Sequence, residues 1–358
     1  MTHDDTAGHE PDERDWRLER NEKADGGHAT VLSPSALNRF LGCEFRTHLD
    51  ILERRGELDA ERRPPNMAFL FDRGERHEEQ VVARLEEDGL DVIDLTMPGA
   101  KAAERAAATV DALRNGHDVI VQGCFDNGRW VGYPDFLVRV DTPSQLGDFS
   151  YEVKDAKLTR HAKPSHIHQL LFYTDELERL QGLRPQRMHL FLGSGEEPAY
   201  TPADFEAYAA GIRDEFVARF GELTERGDPA YPYPVAACGF CHWWHVCRDK
   251  RRTDDHLSLT ANLMRAQGLK LEQAGVHRVT DLAAVPDGVT VPRLQRETLD
   301  NLRAQARLQV ASRGKPVPEI ELLEPAHDRG LSRLPAPSVG DVHFDFEGDP
   351  NWGDEGLE

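Results

Sequence analysis

The sequence predicts an α/β protein, a mixed sheet flanked by helices, followed by a small all-helical domain. Three observations carry that expectation. Residues 117–153 hold short apolar runs in strand-like alternation, with Asp126-Asn127-Gly128 as a hairpin turn between two of them. Helical stripes precede and follow this block, the order expected of a sheet with helices on its faces. Residues 257–312 then carry helical periodicity alone.

Taken in order, residues 1–28 read as a disordered acidic leader without the apolar core of a secretory signal. A first helix is expected from Ser33 as N-cap and Pro34 as first helical residue, with Ala36, Leu37, Phe40 and Leu41 on one stripe. Helices are expected over 71–85 and 101–113, and strands over 117–123, 129–133, 135–140 and 149–153. A helix over 166–180 and a strand over 186–192 complete the sheet region. A core with its cysteines thus spans 29–252, and the helical domain 257–312 has Thr280 as an N-cap after a turn at Gly275. Proline and polar residues mark 313–340 as a linker, and 341–358 opens with an apolar strand that includes Asp345 and Glu347.

Composition narrows the function. No apolar run approaches the roughly 20 residues that cross a bilayer, so no membrane partner is expected and the expected location is the cytoplasm. Forty-three basic against 64 acidic side chains give a net charge of −21, which excludes a chain whose whole surface binds nucleic acid. A local basic groove remains open. Five cysteines in a cytoplasmic chain suit metal or cluster ligands better than disulfides.

Two constellations carry chemistry. Asp135, and Glu152 with Lys154 in the next strand, are the residue types that a metal-dependent phosphodiesterase needs. Carboxylate oxygens hold hard cations, and an ammonium two positions from Glu152 leaves the same strand face. An acid followed by Glu-x-Lys also arises by chance on exposed strands. Gln169 and Tyr173, four apart on the following helix, face the same way and can touch a phosphate backbone or position Lys154. His77 can complete a metal shell, with Glu78 and Glu79 as rival ligands. Residues 154–163 form a strongly basic stretch beside this set.

The second constellation is Cys238-x-x-Cys241-x5-Cys247 with Cys43 in the first helix. Four thiolates fit a [4Fe–4S] cluster, or a structural Zn²⁺ that recruits His242 or His245. Cys124 reads as a buried strand residue, and Arg248, Lys250, Arg251 and Arg252 extend the basic surface.

Together, Gly132-x-x-Asp135-Phe-Leu, Tyr-Glu152-Val-Lys154-Asp-x-Lys157-Leu and Gln169-x3-Tyr173 resemble the RecB-like PD-(D/E)XK nuclease signature. The cysteines resemble the iron–sulfur version of that family. The resemblance implies a restriction-endonuclease-like core and Mg²⁺- or Mn²⁺-dependent hydrolysis of DNA, on single strands or ends, in repair, recombination or defence. It also implies His77, Asp135 and Glu152 as metal ligands, Lys154 as catalytic, and Gln169 and Tyr173 as completing the site. Residues 257–312 resemble a helix-hairpin-helix-like region. Asp345-x-Glu347 resembles the first acidic motif of ribonuclease H-like exonucleases, here an incomplete second site in a truncated domain. A helicase, fused or separate, is the expected protein partner. The rival readings are a non-catalytic DNA-end-binding module of a helicase or repair complex, and a zinc-stabilised scaffold.

Overall fold

A computed structural model describes residues 20–22, 28–59, 66–323, 327–328 and 330–345, with side chains outside 20–22, 28–30, 66–72 and 331. Strand β1 (Arg20–Glu22) pairs antiparallel with β2 (His28–Thr30), inside the stretch expected to be an unstructured leader. A ladder needs only backbone groups, so polar composition did not foretell it.

Helix α1 (Pro34–Gly42) starts as its residues dictate. Ser33 Oγ accepts the Ala36 N–H at 3.0 Å, and Pro34 takes a first-turn position where no amide is needed. Ala36, Leu37 and Phe40 are buried, whereas Leu41, expected on the same stripe, is exposed. Cys43 breaks the helix in an extended conformation, and α2 (Glu44–Arg54) follows at once. Next come α3 (Asn66–Glu87), β3 (Val92–Asp94), α4 (Ala102–Asn115), β4 (Val119–Val121), β5 (Phe125–Asp126), β6 (Val131–Gly132) and β7 (Phe136–Val140). The unit continues through β8 (Ser150–Lys157), α5 (Pro164–Gln181), β9 (Met188–Leu192), β10 (Ala199–Tyr200), α6 (Glu206–Thr224) and α7 (Trp244–Thr253).

Six strands form one mixed sheet in the order β10-β9-β8-β7-β4-β3. The β3–β4 and β8–β9 pairs are parallel and the other neighbours antiparallel. Residues 131–132, expected in this sheet, instead pair with β5 in a separate two-stranded ribbon. Alternation along the central strands sends side chains to two covered faces. On one, Leu137, Tyr151, Val153, Met188 and Leu190 pack with Leu170, Leu171, Tyr173 and Leu177 of α5. On the other, Val119, Val121, Phe136, Ala156 and Phe191 pack with Val81 and Leu85 of α3. The fold is therefore α/β, a mixed sheet flanked by helices.

The strand expected to end at Val153 runs four residues further. Its extension is paired in parallel with β9, with Asp155 opposite Leu190 and Lys157 opposite Leu192. Gly193 makes this possible: a Cβ there would overlap the Leu158 carbonyl oxygen, and its own N–H donates to the Lys157 carbonyl at 2.8 Å.

A second compact unit comprises residues 260–263 and the described residues from 267 onward. It is built on α8 (Arg265–Gln273), α9 (Val279–Ala284) and α10 (Arg296–Ala311), with Leu271, Val279, Leu282, Leu299 and Ala306 buried. Gly275, at φ 84°, turns the chain between α8 and α9. Residues 342–345, expected to open a strand, form none. Val342 and Phe344 are exposed, with no strand pairing alongside them among the described residues. Asp345 lies in this segment, and Glu347 falls outside the described residues. No described helix is long and apolar enough to cross a membrane.

Candidate functional site

Strand register decides which acids meet. Phe136 of β7 stands opposite Lys154 of β8, and Val138 opposite Glu152. Continued by one residue, the same register sets Asp135 beside Asp155. The Ala156 N–H donates to Asp135 Oδ2 at 2.8 Å, fastening that carboxylate across the strands. Asp155 and Lys157, two apart, share one side of β8 and form an ion pair, and Lys157 Nζ also lies 3.8 Å from Asp135 Oδ2. Asp135 and Asp155 are both buried.

Helix α3 brings a third carboxylate. Glu78 accepts a hydrogen bond from Gln122 Nε2 at 2.9 Å. Burial first, and the nearby Asp135 carboxylate second, push its pKa up to about 8. Gln122 itself adopts φ 53°, a left-handed conformation that costs a non-glycine residue roughly 1–2 kcal/mol. Its N–H donates to the Asp135 carbonyl at 2.8 Å, so one strained residue holds both Glu78 and the backbone of Asp135.

From the other face, α5 braces the same point. Tyr173 donates to the Tyr133 carbonyl at 2.7 Å, two residues before Asp135, and accepts from Gln169 Nε2 at 3.1 Å. A Cβ on Gly132 would meet the Phe172 and Tyr173 rings at 2.6 and 2.7 Å, so glycine lets α5 approach. Burial, then Asp155, raises the Tyr173 hydroxyl well above its ordinary pKa, leaving it a neutral donor. Gln169 and Tyr173 are thus brought to Asp135, as struts for the segment that carries it.

Two expected ligands and the expected lysine stand elsewhere. Glu152 accepts the Arg187 N–H at 2.9 Å and pairs with His189 Nε2 at 2.8 Å. Lys154 Nζ lies 5.2 Å over the Phe191 ring. Both project to the α3 side of the sheet, and Glu152 sits about 10 Å down the strand from Asp155 at roughly 3.3 Å per residue. His77 Nε2 lies 3.2 Å from the Phe191 carbonyl oxygen. The residues that join Asp135 are therefore Glu78, Asp155 and Lys157.

The electrostatics of the set are those of a site short of positive charge. Burial and the neighbouring Asp155 raise Asp135 well above the carboxylate range. Asp155 and Asp135 hold Lys157 protonated despite its burial. Burial and the Lys157 charge bring His166 down to about 4, so it is a neutral imidazole beside the lysine. Glu78, Asp135 and Asp155 offer hard oxygen donors, the type of ligand that a divalent cation takes. Past Lys157, Arg160, His161 and Lys163 are exposed in the loop that leads to α5.

The chain matches no family model and no curated protein. The reading of this site therefore rests on its own geometry.

A separate cluster gathers four thiols. Cys43 lies between α1 and α2, Cys238 and Cys241 in and after a 3-10 turn (Ala236–Phe240), and Cys247 on α7. Burial pushes the Cys247 thiol up to about 12, and the neighbouring Cys241, Cys43 and Cys238 add to the rise. Cys247 thus lies within electrostatic reach of the other three. None is in a disulfide, and Phe45, Leu49 and Trp243 pack with Cys43, Cys241 and Cys247. Trp243 Nε1 donates to Asp50 Oδ1 at 2.6 Å, joining α2 to the cysteine turn. His242 Nε2 is 3.5 Å from the same carboxylate oxygen, directed toward α2. Asp50, Glu53 and His242 have ligand atoms within 4.8 Å of one another, a grouping the sequence did not suggest. Cys124 is buried against Val31 and Val131, and its Sγ lies 3.5 Å from the Ala102 carbonyl.

Proposed function

We propose that this chain is a divalent-metal-dependent phosphodiesterase acting on DNA single strands or ends, built on a restriction-endonuclease-like core. The observation that carries the reading is Asp135 set beside Asp155, with Lys157 on the same side of β8 and Glu78 delivered by α3. Pro134-Asp135 followed by Asp155-Ala156-Lys157 fits the RecB-like PD-(D/E)XK pattern, with the second acid and the lysine three positions beyond Glu152 and Lys154.

Glu78, Asp135 and Asp155 would hold the Mg²⁺ or Mn²⁺. A bound cation supplies a more acidic water and polarises the phosphate. Lys157 places an ammonium where negative charge grows on the phosphate oxygens as water attacks and the P–O bond breaks. Gln122, Gln169 and Tyr173 keep the acids in place, so that little reorganisation accompanies the reaction. Arg160 and Lys163 offer contacts for neighbouring phosphates.

In the same reading the four gathered thiols would hold a [4Fe–4S] cluster, with a structural Zn²⁺ as the alternative that metal analysis separates from it. Repair, recombination or defence, with a helicase as partner, is the setting in which such an activity belongs.

The test separates the two acid-x-Lys pairs. Asp155→Ala and Lys157→Ala are expected to lower Mn²⁺-dependent cleavage of single-stranded DNA at least a hundredfold, on the order of other losses of charge stabilisation. Glu152→Ala and Lys154→Ala should retain cleavage. Salt-sensitive DNA binding with no cleavage under any divalent cation would leave a non-catalytic end-binding module instead.

A further inference from the structure

The cysteine module carries a surface that the phosphodiesterase reading does not use. Phe240 and Trp244 flank Cys241 in sequence, and both rings are exposed, Phe240 at 58% and Trp244 at 38%. Phe240 ends the 3-10 turn and Trp244 opens α7, three residues after Cys241. Helix α7 holds four cations and one carboxylate in ten residues, in a chain whose net charge is −21.

Helix spacing sorts those cations. Trp244, Arg248 and Arg252 follow one another at four-residue steps and so form one stripe, while Cys247 turns inward. Arg248 places its guanidinium 4.4 Å from the Trp244 ring centroid. Asp249 accepts from Arg248 Nε at 2.9 Å, which leaves the remaining guanidinium N–H groups as donors. Lys250 and Arg251 are turned to other work, Lys250 pairing with Asp254 and Arg251 donating to the Pro232 carbonyl.

We propose that Phe240, Trp244, Arg248 and Arg252 form a stacking platform for unpaired DNA bases on the outer surface of the cysteine module. The argument rests on the phosphodiesterase reading for the choice of DNA, and on the residues for the choice of an unpaired strand. Partly exposed aromatic rings beside guanidinium groups suit unstacked bases and their phosphates, and a paired duplex presents no free base face. The acidic remainder of the chain repels the same polyanion, so charge complementarity confines it to basic patches such as this stripe.

Fluorescence anisotropy of the full chain, cluster loaded and without added divalent cation, reads binding apart from cleavage. The probes are a labelled oligothymidylate, a duplex of the same length and an oligouridylate. Trp244→Leu and Phe240→Leu are each expected to weaken oligothymidylate binding about tenfold, within the usual range for one base stack, and Trp244→Tyr to restore most of it. Duplex binding should change less than about twofold, since no stack is lost there. Arg248→Gln and Arg252→Gln should each flatten the salt dependence by about 0.7 in log–log slope.

No binding by the parent chain, unchanged affinity in both leucine variants, or equal weakening for strand and duplex would overturn the platform. Tighter binding of oligouridylate than oligothymidylate would overturn the choice of DNA. The two readings fail separately. If the parent cuts DNA while the Trp244 series is flat, only the platform falls. If the series behaves as expected and no divalent cation supports cleavage, only the phosphodiesterase falls.

Discussion

At the scale of single residues, Glu78 governs how the site answers to pH. Its pKa in the folded protein, about 8, lies above the ordinary 4.5. The native state therefore keeps a proton that the unfolded chain gives up between those values. Its contribution to the stability of the metal-free protein is complete below the unfolded value and falls as pH rises toward 8. His166, held at about 4, contributes in the opposite direction, so the comparison is with Glu78→Gln, which keeps His166. From pH 5 to pH 8 the parent chain should lose about 1–3 kcal/mol relative to that variant in chemical unfolding, less than the full shift because Glu78 is only partly enclosed. Added Mn²⁺ should stabilise the parent chain more at pH 8 than at pH 5. Lysine 157 titrates far above this window and leaves the sign unchanged.

Asp135, Gln169 and Tyr173 could be singled out from residue type and spacing, whereas Asp155 and Lys157, the neighbours that the fold gives Asp135, could not. The strand holds two acid-x-Lys pairs in succession, Glu152 with Lys154 and Asp155 with Lys157. Pattern alone ranks them equally. Only the pairing of β7 with β8 chooses, by setting Asp135 beside Asp155. Glu78 was weighed as a rival to His77, and it is Glu78 that α3 turns toward Asp135 while His77 meets the Phe191 carbonyl, adjacent residues that a helix turns about 100° apart. Gln122 gave no signal, because its role lies in a backbone angle.

At the scale of elements, the terminal extension of β8 is the feature on which the site depends. Lys-Asp-Ala-Lys is a poor strand former, and the expected end at Val153 followed that propensity. Pairing with β9 overrides it. Gly193→Ala would push the two backbones apart where Gly193 donates to Lys157, and nothing there is a flexible side chain that could give way. The expected outcome is a loss of about 2–4 kcal/mol by thermal unfolding, together with loss of cleavage, since Lys157 moves with its strand. The helices were read more faithfully, because α3, α4 and α5 carry long amphipathic stripes. Helix α6 went unread. Its buried Phe216, Phe220 and Leu223 cluster near the C-terminal end, and Gly211 and Gly221 interrupt the pattern.

A comparable dependence ties α2 to the cysteine turn through Asp50 and Trp243. Burial works against the Asp50 charge, but His242, Arg39, Arg46 and Trp243 together hold it ionised, below its ordinary pKa. Asp50→Ala would leave the indole N–H and these cations without their carboxylate. About 2–4 kcal/mol of stability should be lost, with lower iron content in protein purified under anaerobic conditions. Normal iron content and unchanged melting in that variant would mean that the turn is held by the thiols alone.

At the scale of the whole molecule, the sequence conveyed a sheet region and a helical unit but not the wiring within the first of them. Strands β5 and β6 have strand-like composition yet stand outside the main sheet. The difference lies in partners distant along the chain, which composition does not name. Removing one of the four gathered thiols should report that wiring. Cys43→Ser is expected to lower the melting temperature of the first unit while leaving the second unit's helical signal in place, as circular dichroism during heating would show.

That same wiring has a consequence for how the protein is made. Helix α1 packs with α5 and α6, and Cys43 waits for partners on α7. The ribosome releases α1 and α2 before α5, α6 and α7, so their docking surface is not complete until residue 247 has emerged. Until α5 and α6 follow, Leu37 and Phe40 lack the neighbours that cover them in the folded protein. The meeting of the thiols is then a closing event, and a nascent chain that stalls before α5 presents an apolar helix face to whatever chaperone is at hand.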